Sequence, residues 1–283
     1  MKEQITPCLW FDGQAKEAAA LYCSVFVNAK ITAQSPIVTG INISEQNITL
    51  LDGGPMYKPN PSISFYYICD TEQEFDRIWN AFSKEGTVMM PADKYPWSEK
   101  YGWITDKYGI SWQLGLGKLS DGSQRITPCL LFTGKQYGRV DEAIAHYSAI
   151  FKNPGIDGIL RYGPNELPDE EGKVKHAQIN LNGQKFMLIE SAAAHKFTFT
   201  EGVSLTINCE TQEEIDHYWE KLTESGEESM CGWLKDKFGV SWQIIPTILS
   251  KLMSDPAKAG KAAKAYMAMR KFNIEQLVQA SIS

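Results

Sequence analysis

The sequence predicts an α+β fold built twice, and three observations carry that prediction. "DKYGISWQ" at 106–113 returns as "DKFGVSWQ" at 236–243. "ITPCLWF" at 5–11 returns as "ITPCLLF" at 126–132. "ISFYYICDTEQEFDRIW" at 63–79 returns as "VSLTINCETQEEIDHYW" at 203–219. Three anchors in the same order are the mark of an internal repeat. The organisation expected is a first domain over 1–118, a linker over 119–124, a second domain over 125–246 and a helical extension over 247–283.

Within copy one the elements follow from local pattern. "ITPCLWF" is apolar and β-prone. "AKEAAALYCSVF" puts Ala18, Leu21, Tyr22 and Val25 on one helical stripe. "KITAQSPIV", "GINIS" and "NITLLD" read as short strands. The rhythm restarts at "SISFYYIC". Thr71 caps the next helix, with Glu74 three residues on as a capping box and Gly86 as the stop. Thr211 and Glu214 repeat the box in copy two. "TVMM", "GWITD" and "ISWQLGL" close the unit as strands. Each copy is therefore two strand-helix-three-strand modules.

The repeated phrase reads as a hairpin turn with a strand behind it. Asp106 and Asp236 start the turns, and Gly109 and Gly239 supply positive φ. Trp112 then alternates with Gln113, and Trp242 with Gln243, so each pair points to opposite sheet faces. We expect the tryptophans to be buried. In the tail, Ser254 or Asp255 caps a helix with Pro256 in its first turn, and Asn273 begins another. Two or three helices are expected there, covering a domain face.

Net charge is −6, which argues against a nucleic-acid or anionic-membrane surface. No apolar run is long enough for a membrane span, and the N-terminus has no apolar signal core. None of the six cysteines forms a CxxC pair. They read as reduced, mostly buried thiols of a cytoplasmic protein. No HExxH, GxSxG or P-loop is present.

"ITPCLWFDGQAKEAAALYCSVF", "LLDGGPMYKPNPSISF" and "EEIDHYWEKLTESGEESMCGWLKDKFGVSWQIIP" resemble the vicinal oxygen chelate superfamily of glyoxalase I, bleomycin-resistance proteins and extradiol dioxygenases. They are most similar to its PhnB-like subfamily, labelled "3-demethylubiquinone-9 3-methyltransferase domain". The resemblance covers nearly the whole chain. It implies tandem domains whose paired modules curve a sheet, expected to be antiparallel in type, into a cup. It also implies an internal pseudo-dimer and leaves a homodimer open. In the metal enzymes of the superfamily, ligands stand on the first, fifth and last strands. The matching positions here are Thr6 and Thr127, near Ser62 and Gly202, and Gln113 and Gln243. No charged ligand stands at any of them, so no cofactor is expected; a divalent metal is the one group the resemblance would admit. The methyltransferase label itself lacks support: "GLGKLS" at 115–120 is not a full glycine-rich turn, and the modules are hairpins.

Other polar residues stand out. Asp52 and Glu190 end equivalent strands and are the general-base candidates if they face the cup; alternatively they begin solvent-exposed turns. His176 shares a strand face with Gln178 and Asn180, lining a pocket or simply exposed. After Gly86, copy one is longer than copy two, adding Met89, Met90, Tyr95, Pro96 and Trp97. That loop either recognises a ligand at the cup mouth or clamps the other copy. The expected function is binding of a small, partly apolar or aromatic molecule through Thr6, Trp97, Gln113, Thr127, His176, Gln178 and Gln243. The competing reading is a metal- or carboxylate-assisted lyase, isomerase or dioxygenase.

Overall fold

The computed structural model describes residues 5–119 and 123–282. Residues 120–122 of the expected linker lie outside the described residues. Two compact units are present: one spans Thr6–Val203, the other holds Ile5 and the chain from Ser204 onward.

In the larger unit, copy one begins with β1 (Thr6–Phe11), α1 (Ala15–Val25), β2 (Ala29–Gln34), β3 (Val38–Ile43) and β4 (Gln46–Asp52). It continues with β5 (Ile63–Cys69), α2 (Glu72–Ser83), β6 (Thr87–Tyr95), β7 (Ser98–Thr105) and β8 (Ser111–Leu116). Copy two opens with β9 (Ile126–Thr133), α3 (Val140–Ile150), β10 (Gly155–Arg161), β11 (Val174–Leu181) and β12 (Gln184–Ser191). The smaller unit carries β13 (Val203–Cys209) from its second residue onward, α4 (Gln212–Thr223), β14 (Glu227–Glu228), β15 (Trp233–Lys235) and β16 (Ser241–Pro246). Three helices follow: α5 (Ile248–Ser254), α6 (Ala259–Met267) and α7 (Ile274–Ile282). The α+β class and the four modules are those expected. The strands are not all antiparallel: the first and last strand of each module pair in parallel, as in β1 with β4 and β5 with β8.

The sheet does not follow the sequence repeat. An eight-stranded sheet runs β10-β11-β12-β9-β5-β8-β7-β6. Its centre is the antiparallel pair β5–β9, with Ser64 opposite Cys129 and Tyr66 opposite Thr127. The second module of copy one therefore shares one sheet with the first module of copy two. A reading confined to each copy missed this, because nothing local records a pairing between strands so far apart in sequence.

Both capping boxes form. Glu74 N–H donates to Thr71 Oγ1 at 3.1 Å and Glu214 N–H to Thr211 Oγ1 at 3.3 Å. In each box the glutamate carboxylate turns back to the residue before the cap, Asp70 or Glu210. Helices α2 and α3 pack on one face of the eight-stranded sheet. Trp112 lies on that face, fully buried, among Tyr22, Phe26, Phe65 and Phe82. Large aromatic area removed from water is the main stabilising term here.

The longer stretch of copy one is not a loop. It extends the β6–β7 hairpin out to Tyr95 and Ser98. Pro91 is tolerated because β6 is an edge strand with shifted register around it. In the smaller unit β14 has only two residues. The N–H groups of Cys231 and Gly232 instead donate to the carbonyls of Met269 and Arg270. The tail after α6 thus covers a strand edge, which would otherwise be free to pair with another chain. Phe272 is buried there, and Gln212 on α4 binds both Phe272 O and Ile274 N. No helix is long and apolar enough to cross a membrane among the described residues.

Candidate functional site

Strand alternation puts a defined set of side chains on the face turned away from α2 and α3, the cup face. Tyr66 and Gln113 are register partners on β5 and β8; Tyr66 and Thr127 are partners on β5 and β9. Cys129 pairs Met187, and Met187 pairs Gln178. His176 lies two residues from Gln178 on β11, so it shares the face. Gln113, Thr127, His176 and Gln178, drawn from both copies, therefore line one sheet. Thr6 stands on β1, outside this sheet, and Gln243 on β16 of the smaller unit.

The floor centres on Gln113. Its Nε2 donates to Ser64 Oγ at 2.8 Å and its Oε1 accepts from Tyr101 Oη at 2.7 Å. Both ends of the amide are engaged, so its orientation is fixed. In copy two the Tyr101 position is Cys231, and among the described residues Gln243 keeps the Ser204 bond alone, at 2.9 Å. Beside Gln113, burial pushes the Cys129 thiol up to about 12, so it is inert as a nucleophile. Tyr101 stands at the root of the extended hairpin. Trp97 meets it edge-on at 5.8 Å between ring centroids, and Tyr95 stacks on Trp97 at 5.0 Å. Trp97 is 60% exposed. An exposed indole is thus held over the buried Tyr101–Gln113–Ser64 chain.

At the other end, Gln178 and Asn180 do not offer free amides. Both donate to Asp157 on β10, at 2.7 and 2.8 Å, and Lys185 closes the group at 3.0 Å. His176 has no hydrogen-bond partner among the described residues. Burial lowers its pKa, so the ring is neutral at neutral pH.

The two carboxylate candidates point elsewhere. Asp52 Oδ1 accepts Ala15 N–H at 2.9 Å, at the start of α1. Glu190 is buried and takes the N–H groups of Gly138 and Val174, at 2.6 and 2.5 Å. Each ties the end of a strand to the chain around a helix N-terminus, where donors are otherwise unpaired. Glu190 lies on the helix side of β12, opposite in facing to Met187 and Ile189.

A resident divalent metal does not fit these residues. Among the described residues no three His, Cys, Asp or Glu side chains gather to hold one. The carbonyl of Gln113 is already taken, and Gly202 stands against chain: a Cβ there would lie 2.3 Å from the Lys58 carbonyl carbon. A cavity of about 160 Å³ lies on the helix side instead, beside Leu21, Phe82, Lys84 and Asp106. Asp106 accepts four hydrogen bonds, so it presents no free carboxylate to that cavity.

Sequence reasoning missed Ser64, Tyr66 and Tyr101. The signal was present in the repeat: Tyr66 and Tyr101 of copy one stand where copy two has Thr206 and Cys231.

A family model described as 3-demethylubiquinone-9 3-methyltransferase matches the chain twice, over residues 3–115 and 124–245. Among solved structures, the chain is similar to the PhnB protein from Bacillus cereus at 31% identity. That match covers 40% of this chain and 99% of the other, with a TM-score of 0.38. It is also similar to glyoxalase I from Zea mays at 12% identity, covering 90% of this chain and 96% of that one, with a TM-score of 0.57. The latter likeness concerns the fold alone. No curated protein matches.

Proposed function

The chain belongs to the 3-demethylubiquinone-9 3-methyltransferase family, as a tandem PhnB-like member of the vicinal oxygen chelate superfamily, and from that premise we propose that its eight-stranded sheet binds a small, partly aromatic molecule on the cup face. One observation carries the reading. The extended β6–β7 hairpin is peculiar to copy one, and the long 162–173 connection between β10 and β11 is peculiar to copy two. Both belong to the same sheet, at its two ends. The four-stranded modules β1–β4 and β13–β16 have neither. Divergence after duplication has thus elaborated one composite face, lined by aromatic and neutral polar side chains.

We do not propose methyl transfer, because the modules are βαβββ hairpin units and not the parallel sheet that a nucleoside cofactor of that kind uses. The enzymatic alternative needs a free carboxylate or a metal. Asp52 and Glu190 are spent on backbone N–H groups, which favours binding over catalysis. A cytoplasmic location fits the reading of the cysteines as reduced: none of the six is held in a disulfide.

The test is equilibrium dialysis of the full chain against 2-naphthol. We expect one molecule bound per chain, and roughly tenfold weaker binding in Trp97→Ala, the cost of losing an aromatic contact. Two equal sites per chain, or an unchanged affinity in Trp97→Ala, would overturn the composite site.

A further inference from the structure

Comparing the two copies residue by residue isolates one exchange on the sheet floor. The pairs β5–β8 and β13–β16 have the same parallel register, Tyr66 opposite Gln113 in one and Thr206 opposite Gln243 in the other. Position by position, Tyr66 and Gly115 of copy one correspond to Thr206 and Ile245 of copy two. Large beside small has been traded for small beside large.

The geometry explains the trade. Glycine inside a strand costs stability and marks a close approach. A Cβ on Gly115 would lie 2.1 Å from Tyr66 Oη. Gly115 is therefore what lets the Tyr66 side chain lie along the neighbouring strand, over the floor. Six other tyrosines of this unit donate their hydroxyls to an acceptor: Tyr22 to Asp106, Tyr67 to Glu74, Tyr95 to Pro91, Tyr101 to Gln113, Tyr108 to Glu17 and Tyr162 to Glu190. Tyr66 is half-buried on the cup face and has no hydrogen-bond partner among the described residues. Desolvation raises its pKa, so the hydroxyl keeps its proton at neutral pH.

We propose that Tyr66, laid flat by Gly115, is the specificity-determining residue of this face, its free hydroxyl pairing with a hydroxyl or carbonyl oxygen carried on an uncharged aromatic ligand. This rests on the binding function proposed above. The neighbours support an uncharged ligand: Gln113, Thr127, Cys129 and Trp103 are neutral, and Lys185 is paired with Asp157. A hydroxyl that meets no oxygen on the ligand stays unpaired and desolvated, which penalises a bare hydrocarbon. The same face built as in copy two, with Thr206 and Ile245, has no such reader.

The experiment compares 2-naphthol with naphthalene, which differs only by the hydroxyl, on the full chain. The wild type should prefer 2-naphthol by about three- to tenfold, the range of one net hydrogen bond. Tyr66→Phe keeps the ring and should bind both equally. Gly115→Ile alone is expected to disrupt packing. The double change Tyr66→Thr with Gly115→Ile copies the other repeat, should keep a cooperative thermal transition, and should lose the preference. A preference that survives Tyr66→Phe or the double change overturns the proposal. Equal binding of both probes by the wild type overturns it while leaving the binding function standing. Failure to bind either probe overturns both.

Discussion

The indole of Trp112 donates to Oδ2 of Asp106 at 3.0 Å, and six residues apart in copy two the indole of Trp242 donates to Asp236 Oδ2 at 2.9 Å. The other oxygen of each aspartate accepts the N–H groups two and four residues on: Tyr108 and Ile110, or Phe238 and Val240. Gly109 and Gly239 both sit at φ +88°, closing the turn. From its aspartate to its tryptophan the phrase is thus a buried carboxylate clamp that joins the last hairpin to the core, and only its closing glutamine turns to the other face.

Asp106→Asn tests the clamp. The amide nitrogen would face the Trp112 N–H or the turn N–H groups, donor against donor. We expect a loss of roughly 1–3 kcal/mol in unfolding free energy by chemical denaturation. A variant within a few tenths of a kcal/mol of wild type would mean the carboxylate's bonds are not worth their desolvation.

The same carboxylate has a pH signature. Burial raises the Asp106 pKa from 3.8 to about 6, against the opposing effect of its hydrogen bonds. The folded state holds this proton more tightly than the unfolded chain does. The linked stability is fully present below about pH 4 and is lost as pH rises through 6. A shift of about two pH units amounts to about 3 kcal/mol. Unfolding of wild type and Asp106→Asn, measured from pH 4 to 7, should therefore show the wild type losing stability relative to the variant over that window. A constant difference would mean Asp106 stays ionised throughout.

What the sequence made legible was whatever has a short period. The alternation of Trp112 with Gln113 placed one in the core and the other on the far face, as found. Thr71 with Glu74 and Thr211 with Glu214 started helices because caps are local. The pairing of Ser64 with Cys129 was not legible, since sheet partners far apart in sequence leave no periodic trace. The closed amide of Gln113 was missed for a different reason: its acceptor oxygen is filled by Tyr101 from the other strand of the same hairpin, and a side-chain contact of that kind depends on the register, which strand patterning alone does not give. Asp52 and Glu190 were singled out by type and position, and the bonds that occupy them join backbone groups 37 and 52 residues away.

Those carboxylates give a third prediction. Asp52→Ala should cost about 1 kcal/mol, as loss of a helix cap does. Glu190→Ala leaves two N–H groups without their acceptor, one of them buried, and should cost roughly 2–5 kcal/mol. Denaturant titrations of the two variants decide it. Wild-type stability in Glu190→Ala, with ligand binding or turnover lost, would return Glu190 to the role of a base.

Gly202 gives the fourth. Its carbonyl accepts Trp10 N–H at 3.0 Å while Lys58 and Pro59 press on the side where a Cβ would stand. Because the obstruction is backbone, it cannot move aside as a side-chain end would. Gly202→Ala should lose roughly 3 kcal/mol or more and give little folded protein. Ready accommodation of alanine would mean that the Lys58–Pro59 segment yields.

The last prediction concerns metal, and it follows from the same positions. On the composite face the carbonyl of Gln113 is held by Tyr101, and the Thr127 position offers only a neutral hydroxyl. In the smaller unit Gln243 has no Tyr101 counterpart, yet an amide alone gives little return for dehydrating a divalent ion. Purified protein should therefore carry no stoichiometric zinc, nickel, manganese or iron by elemental analysis. Adding each metal should leave the thermal midpoint unchanged, since only an ion that binds the folded state raises it. One ion per chain that disappears in Gln113→Ala or Gln243→Ala would move the function from binding to metal-assisted catalysis. Tyr101→Phe sharpens the test: it frees the Gln113 carbonyl without touching any charged group. If freeing that oxygen alone does not confer a metal-dependent rise in midpoint, the missing carboxylates, and not the closed amide, are what keep this face free of metal.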